Sequence, residues 1–135
     1  MPFHVEVLNE TDVPTELTPA RATELCARAF RERGLDTERM GELSVVLVKP
    51  ELMRELNLKF RGKDAPTDVL SFELDGPYGE VVGEIVVCPE YAEMDIEELV
   101  VHGALHLSGM DHGEDFEASE MARVQARVME AVRGG

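Results

Sequence analysis

Tryptophan is absent from this 135-residue chain, and aromatic residues make up only 5% of it. A row of exposed rings on which successive bases could stack is therefore not visible in the sequence. Cysteine is nearly absent as well. Cys26 and Cys88 sit singly inside apolar patterns and form no CxxC pair, which reads as two small buried side chains in a reducing cytosol. No apolar run reaches the roughly 18 residues of a membrane span. The opening MPFHVEVLNE has neither the basic start nor the apolar stretch of a secretory leader. Positive charge is scarce: 13 Lys+Arg face 28 Asp+Glu, a formal net charge of −15. That balance argues against a protein that coats nucleic acid with a broad basic face, and equally against an anionic membrane surface. The length suits one domain over residues 1–135, with a single core that needs no disulfide support.

The charge is unevenly spread. Residues 49–63 carry Lys49, Arg54, Lys59, Arg61 and Lys63 against Glu51 and Glu55, while no Lys or Arg occurs from Asp64 to Ala122. The only concentrated positive charge thus lies in one short segment, followed by a long acidic stretch.

Periodicity gives the elements. Phe3, Val5 and Val7 alternate with His4 and Glu6, as in a strand with one wet face. Thr18 and Pro19 start a helix whose apolar face is Ala22, Leu25, Cys26, Ala29 and Phe30, and Gly34 ends it. Leu43 to Val48 reads as a buried central strand. Pro50 begins a second helix with Leu52, Met53, Leu56 and Phe60 on its apolar face, followed by the loop RGKDAPTD (61–68). Val69 to Leu74 and Val81 to Cys88, joined through a Gly/Pro turn, form an antiparallel hairpin. Asp95 caps a helix over 96–108 that is apolar nearly all round and hence buried, and Gly109 stops it. A last helix, about 115–132, buries Met121, Val124, Val128 and Val132. The order β-α-β-α-β-β-α-α predicts an α+β domain with a mixed four-stranded sheet and four to five helices.

Three of the four histidines fall within VHGALHLSGMDH. His102 and His106 are four apart on the buried helix, so their imidazoles project from one face, one turn apart. Gly109 lets the chain double back and bring His112 toward the same point. Three neutral imidazoles converging in this way form a ligand set for Zn²⁺ with one position left open. The spacing matches that of the HExxHxxGxxH zincin proteases. Those enzymes need Glu directly after the first His as general base, and here that position is Gly103, which disfavours peptide hydrolysis. Metal-activated water instead suits a phosphodiester, whose negative charge an Arg stabilises well. Arg61 and Lys63, in the loop after the second helix, are the residues placed for this.

These residues resemble the YbeY-type rRNA maturation factors, a family also described as metal-dependent, single-strand-specific endoribonucleases. The resemblance is carried by HGALHLSGMDH (102–112), LNLKFRGKDAPTDVLSFEL (56–74) and GEIVVCPEYA (83–92), about a third of the chain in the right order. Where the family usually has Tyr this chain has Met110. The resemblance implies a zincin-like α+β fold with zinc on His102, His106 and His112, and an essential Arg61. It further implies a cytoplasmic role in ribosome biogenesis, in maturation of the 3′ end of small-subunit rRNA and in ribosome quality control.

In the resulting reading, Arg61 and the metal at His112 carry the chemistry. Lys63 and Lys59 position the RNA backbone without sequence preference. Asp111 beside His112 reads as an orienter of the ligand rather than as the base. Thr67, Asp68 and Ser71 are candidates for lining the cleft, and Thr67 and Asp68 equally for stabilising the turn. Phe60 beside Arg61 reads first as core packing at the helix end, with stacking on a base as the alternative. With so few cations, strong intrinsic RNA affinity is not expected. The acidic stretch reads most simply as a solvated face, and the sharper reading is that it docks a basic ribosomal or assembly protein. A His₃ set also suits other divalent transition metals. Two further classes fit the same residues: a ribosome-assembly module with a structural zinc, and a metallopeptidase, the latter disfavoured by Gly103.

Overall fold

Alternation along the strands sets the layers of the molecule. In the computed structural model, which describes residues 3–37, 40–75, 81–110 and 119–134, β1 (Val5–Asn9) is followed by α1 (Pro19–Glu32), β2 (Met40–Leu47) and α2 (Pro50–Arg61). The hairpin strands β3 (Val69–Asp75) and β4 (Val81–Val87) come next, then a short 3₁₀ turn (Pro89–Tyr91), α3 (Ile96–Leu107) and α4 (Glu120–Gly134). The strand order is β1-β2-β4-β3, with β1, β2 and β4 parallel and β3 antiparallel at one edge. This is the α+β domain with a mixed four-stranded sheet that the element order predicts. No helix among the described residues is long and apolar enough to cross a membrane.

Leu43, Val45 and Leu47 of β2, with Ile85 and Val87 of β4, point to the face covered by α1, α3 and α4. The intervening Val46 and Val48, with Leu70, Val86 and Cys88, point the other way, onto Met53 and Leu56 of α2. Both sides of β2 and β4 are therefore buried, which is why these strands read as continuous apolar runs. Thr18 caps α1 by accepting from the Arg21 N–H at 3.1 Å, with Pro19 in the first turn. Cys26 and Cys88 are buried and unpaired, as expected. Burial pushes the Cys26 thiol up to about 12, so it stays protonated and inert.

Two expectations are corrected. The second strand begins at Met40 rather than Leu43. The buried side chains of α2 are Met53 and Asn57, whereas Leu52 and Phe60 are exposed. Asn57 is buried for a structural reason: its Nδ2 donates to the Ala65 carbonyl at 2.8 Å, tying the loop after α2 back onto the helix. The turn at 76–80 and the start proposed for the last helix, 115–118, lie outside the described residues.

Candidate active site

α3 is buried on almost every side, and its two histidines meet a cavity at its C-terminal half. His102 is 5% exposed and His106 half-buried. Their rings lie edge to face with centroids 4.8 Å apart, and the two Nε2 atoms are 3.2 Å apart. Each Nδ1 has its own anchor. His102 Nδ1 lies 3.0 Å from Oε1 of the buried Gln125 on α4, and His106 Nδ1 lies 3.0 Å from the carbonyl oxygen of Met110. A carbonyl oxygen accepts and cannot donate, so Nδ1 of each ring carries a proton, and in the neutral form of each ring the lone pair is on Nε2, facing the other histidine.

The Met110 anchor follows from how α3 ends. Gly109 takes φ +101°, its N–H donates to the His106 carbonyl at 3.0 Å, and the Met110 N–H donates to the Leu105 carbonyl at 3.1 Å. This left-handed cap folds the chain back so that the Met110 carbonyl reaches the His106 ring. One glycine thus both ends the helix and fixes the tautomer of a site residue.

Two unprotonated imidazole nitrogens facing each other at this distance repel unless they share a cation. Two ligands on a tetrahedral metal with Zn–N bonds of about 2.0–2.1 Å sit about 3.3 Å apart, and the observed 3.2 Å matches that edge. The spacing fits two ligands that could hold a transition metal through Nε2, with Nδ1 held by outer hydrogen bonds. Among the described residues no set of three His, Cys, Asp or Glu side chains forms a complete metal site. His112 and Asp111, the third expected ligand and its neighbour, lie outside those residues.

Arg61 lines the same cavity. Its walls, about 290 Å³ in volume, are Arg61, Thr67, Asp68, Val69, Met94, His102 and His106. Arg61 is the last residue of α2, and the loop behind it is pinned at two points. One is Asn57 to Ala65; the other is a two-pronged ion pair in which Arg54 donates to Asp64 at 2.5 and 3.0 Å. Of the five cations in residues 49–63, Lys49 pairs with Asp12 at 2.8 Å and Arg54 with Asp64. Lys59, Arg61 and Lys63 have no ion-pair partner among the described residues and cluster at the end of α2. The short basic segment of the sequence thus narrows to three cations without an ion-pair partner among the described residues, of which Arg61 lines the cavity.

Thr67 and Asp68 line the cavity, but Asp68 Oδ1 is held by the Val69 N–H at 2.8 Å, a local tie that shapes the loop. Ser71 does not line it; its hydroxyl donates to the Gly103 carbonyl at 3.1 Å. Two residues that sequence reasoning missed are Gln125 and Asn57, polar side chains at core-phase helix positions.

Gly103 has a structural role that the motif comparison did not reveal. A Cβ there would lie 2.5 Å from the Ile85 Cγ2 and 3.1 Å from the Ser71 Oγ, so the glycine lets α3 press onto the sheet. That side of the helix has no room for a Glu base. Gly103→Ala removes a helix-weakening residue, worth about 1 kcal/mol in the other direction, but drives a methyl into a fully buried β-branched neighbour. Overpacking of this kind costs about 1–3 kcal/mol, and the clash is with a side chain that cannot swing away. Urea unfolding is expected to show net destabilisation; a gain in midpoint would mean that the helix and sheet are less closely packed than described.

Comparison with known proteins gives a consistent set of relatives. A family model described as Endoribonuclease YbeY matches residues 6–133. The chain is 81% identical over 134 residues to the Endoribonuclease YbeY of Rubrobacter xylanophilus, covering 99% of each. It is 38% identical over 157 aligned positions to the protein of the same name from Salinispora tropica, covering 96% of each. The solution structure of TM1509 from Thermotoga maritima is 30% identical, with a TM-score of 0.49, covering 96% of this chain and 89% of that one.

Proposed function

Because the chain belongs to the Endoribonuclease YbeY family, we propose that it hydrolyses phosphodiester bonds of single-stranded RNA in the cavity shared by Arg61, His102 and His106. The observation that carries this reading is the shared cavity itself. An Arg without an ion-pair partner among the described residues and two histidines anchored through Nδ1 line one space of about 290 Å³.

His102 and His106, with His112, would hold one Zn²⁺ or another divalent transition metal, which when bound supplies Lewis acidity and an acidified water near neutral pH. Arg61 binds the scissile phosphate through two parallel N–H···O bonds to its non-bridging oxygens. Charge on those oxygens grows toward the transition state, so the guanidinium holds the transition state more tightly than the substrate. Lys59 and Lys63 hold neighbouring phosphates, which orients the strand without reading sequence. Gln125 and the Met110 carbonyl keep the imidazoles in the ligating tautomer. Gly103 puts no carboxylate next to the first ligand, so the peptidase route has no base at that position.

The cellular substrate in this reading is precursor rRNA, at the 3′ end of the small-subunit species, in the cytoplasm. Lys59, Arg61 and Lys63, the cations without an ion-pair partner among the described residues of that segment, give weak intrinsic RNA affinity. A basic ribosomal or assembly protein docked on the acidic surface would supply the remainder.

The test is cleavage of a single-stranded RNA oligonucleotide by highly purified protein, with metal content measured on the same sample. Chelation is expected to abolish cleavage while circular dichroism stays native, and stoichiometric metal to restore it. If chelation instead unfolds the chain, the metal is structural and the assembly-module reading replaces this one.

A further inference from the structure

On the other side of Arg61, away from the histidines, lies a second and larger cavity of about 610 Å³ on the α2 face of the sheet. Its floor is apolar, built from Leu56, Leu70, Phe72 and Val86, and Phe60 forms one wall. Phe60 is 56% exposed, and its ring meets Phe72 edge to face with centroids 4.8 Å apart. Arg61 lines this groove as well as the histidine cavity. The Lys59 ammonium lies 5.3 Å from the centre of the Phe60 ring. Glu73 and Glu84 also line the groove, and Glu84 stands across the hairpin from Phe72 in the β3–β4 register.

We propose that this groove receives one unpaired nucleobase of the RNA strand whose adjacent phosphate is held by Arg61, with the base stacked on Phe60. The inference rests on the endoribonuclease reading above and assigns it a nucleobase subsite. Charge decides which part of the strand enters. Glu73 and Glu84 repel phosphates, so the backbone stays at the rim with Lys59 and Arg61 while a neutral base occupies the interior. A half-exposed Phe beside an apolar floor offers the stacking face that bases of any identity accept. A carboxylate accepts hydrogen bonds and donates none, so Glu84 favours a base with an exocyclic amino group, adenine, cytosine or guanine, over uracil, which offers only its ring N–H. A base in a duplex is already stacked and paired, and cannot enter without being extruded. The groove therefore gives a physical reason for selecting single strands.

The test uses the full chain and an oligonucleotide whose cleavage position has been mapped with wild type, then remade with an abasic ribose at each flanking position in turn. Phe60→Ala is expected to raise KM on the order of 10- to 100-fold, the range for one lost stacking contact. Phe60→Tyr keeps the ring and is expected to restore KM. At one flanking position the abasic sugar should weaken wild type by a similar factor, yet change Phe60→Ala little, because both remove the same contact. Independent, multiplying effects overturn the inference, as does an unchanged KM in Phe60→Ala with native circular dichroism. If Phe60→Ala leaves KM alone and converts a dimer to a monomer in light scattering, the groove is a protein interface and the inference also fails. Should wild type fail to cleave the unmodified strand, the endoribonuclease reading falls and this subsite with it; normal wild-type cleavage with no Phe60 effect rejects the subsite alone.

Discussion

Arg61→Ala is expected to lower the cleavage rate of bound single-stranded RNA by about 10²–10³-fold, the range for removing one charge-stabilising donor from a transition state. The loss should fall on the single-turnover rate more than on KM. The guanidinium gains contact energy as charge develops, while ground-state binding is shared with Lys59 and Lys63. Melting temperature should not change, because Arg61 is exposed and has no ion-pair partner among the described residues. Arg61→Lys should recover only part of the rate, since a point charge cannot form the two parallel bonds of the planar fork. Lys63→Ala provides the contrast. It removes a backbone contact, so it should shift KM and flatten the salt dependence by about 0.7 per phosphate lost, with the bound rate unchanged. Cleavage by Arg61→Ala at the wild-type rate would place the activity in a contaminating nuclease or at another site.

The difference between these two cations was only partly legible in the sequence. Five cations within residues 49–63 stood out because the chain is otherwise so acidic. Which of them are unpaired depends on Asp12 and Asp64 folding back onto Lys49 and Arg54, contacts between segments that no local pattern encodes. The approach of Arg61 to His102 and His106 depends in the same way on tertiary placement, which sets the end of α2 and residues 67–69 in the wall of one cavity with α3. The sequence supplied the residue types, and the hairpin with its flanking helices supplied the distance. By contrast, the histidine pair was legible in full, because a four-residue spacing on a helix dictates a shared face. The layered sheet was legible for a similar reason: period 2 along β2 and β4 assigns each side chain to one of two buried faces.

Phe60 was misread for a definable reason. It is in helical phase with Met53, so periodicity places it in the core. But the ring stands over β3, the edge strand: Phe72 meets it edge to face, no further strand of the sheet lies beyond β3, and the ring stays 56% exposed. Periodicity finds the face of a helix and carries no information on where the opposing layer stops. The missed Gln125 had a signal: it is a polar residue in the core phase of α4, flanked by buried Met121, Val124 and Val128. A buried polar side chain needs a partner, and the histidine helix was the place to look for one.

Gln125 also completes the other large prediction. His106→Ala is expected to abolish stoichiometric metal binding and with it all cleavage, because one of the two facing Nε2 donors is gone. Gln125→Leu should be graded: the ligand remains, but His102 Nδ1 loses its acceptor and the ring is free to present the wrong tautomer. Loss of such an outer partner typically costs 10–100-fold in metal affinity. Gln125→Glu keeps an oxygen at that position and should retain most of the affinity, which separates orientation of His102 from a packing effect of the residue itself. Titration with Zn²⁺, followed by the rise in melting temperature, reads all three without relying on activity. A ligand bound only by the folded state raises stability by RT ln(1 + [L]/Kd), so wild type and Gln125→Glu should melt higher as metal is added. Gln125→Leu should need about 10–100 times more metal for the same rise, and His106→Ala should show almost none. Equal metal-induced shifts in wild type and His106→Ala would remove the metal from this pair. A Gln125→Glu that behaved like Gln125→Leu would show that Gln125 acts by filling space.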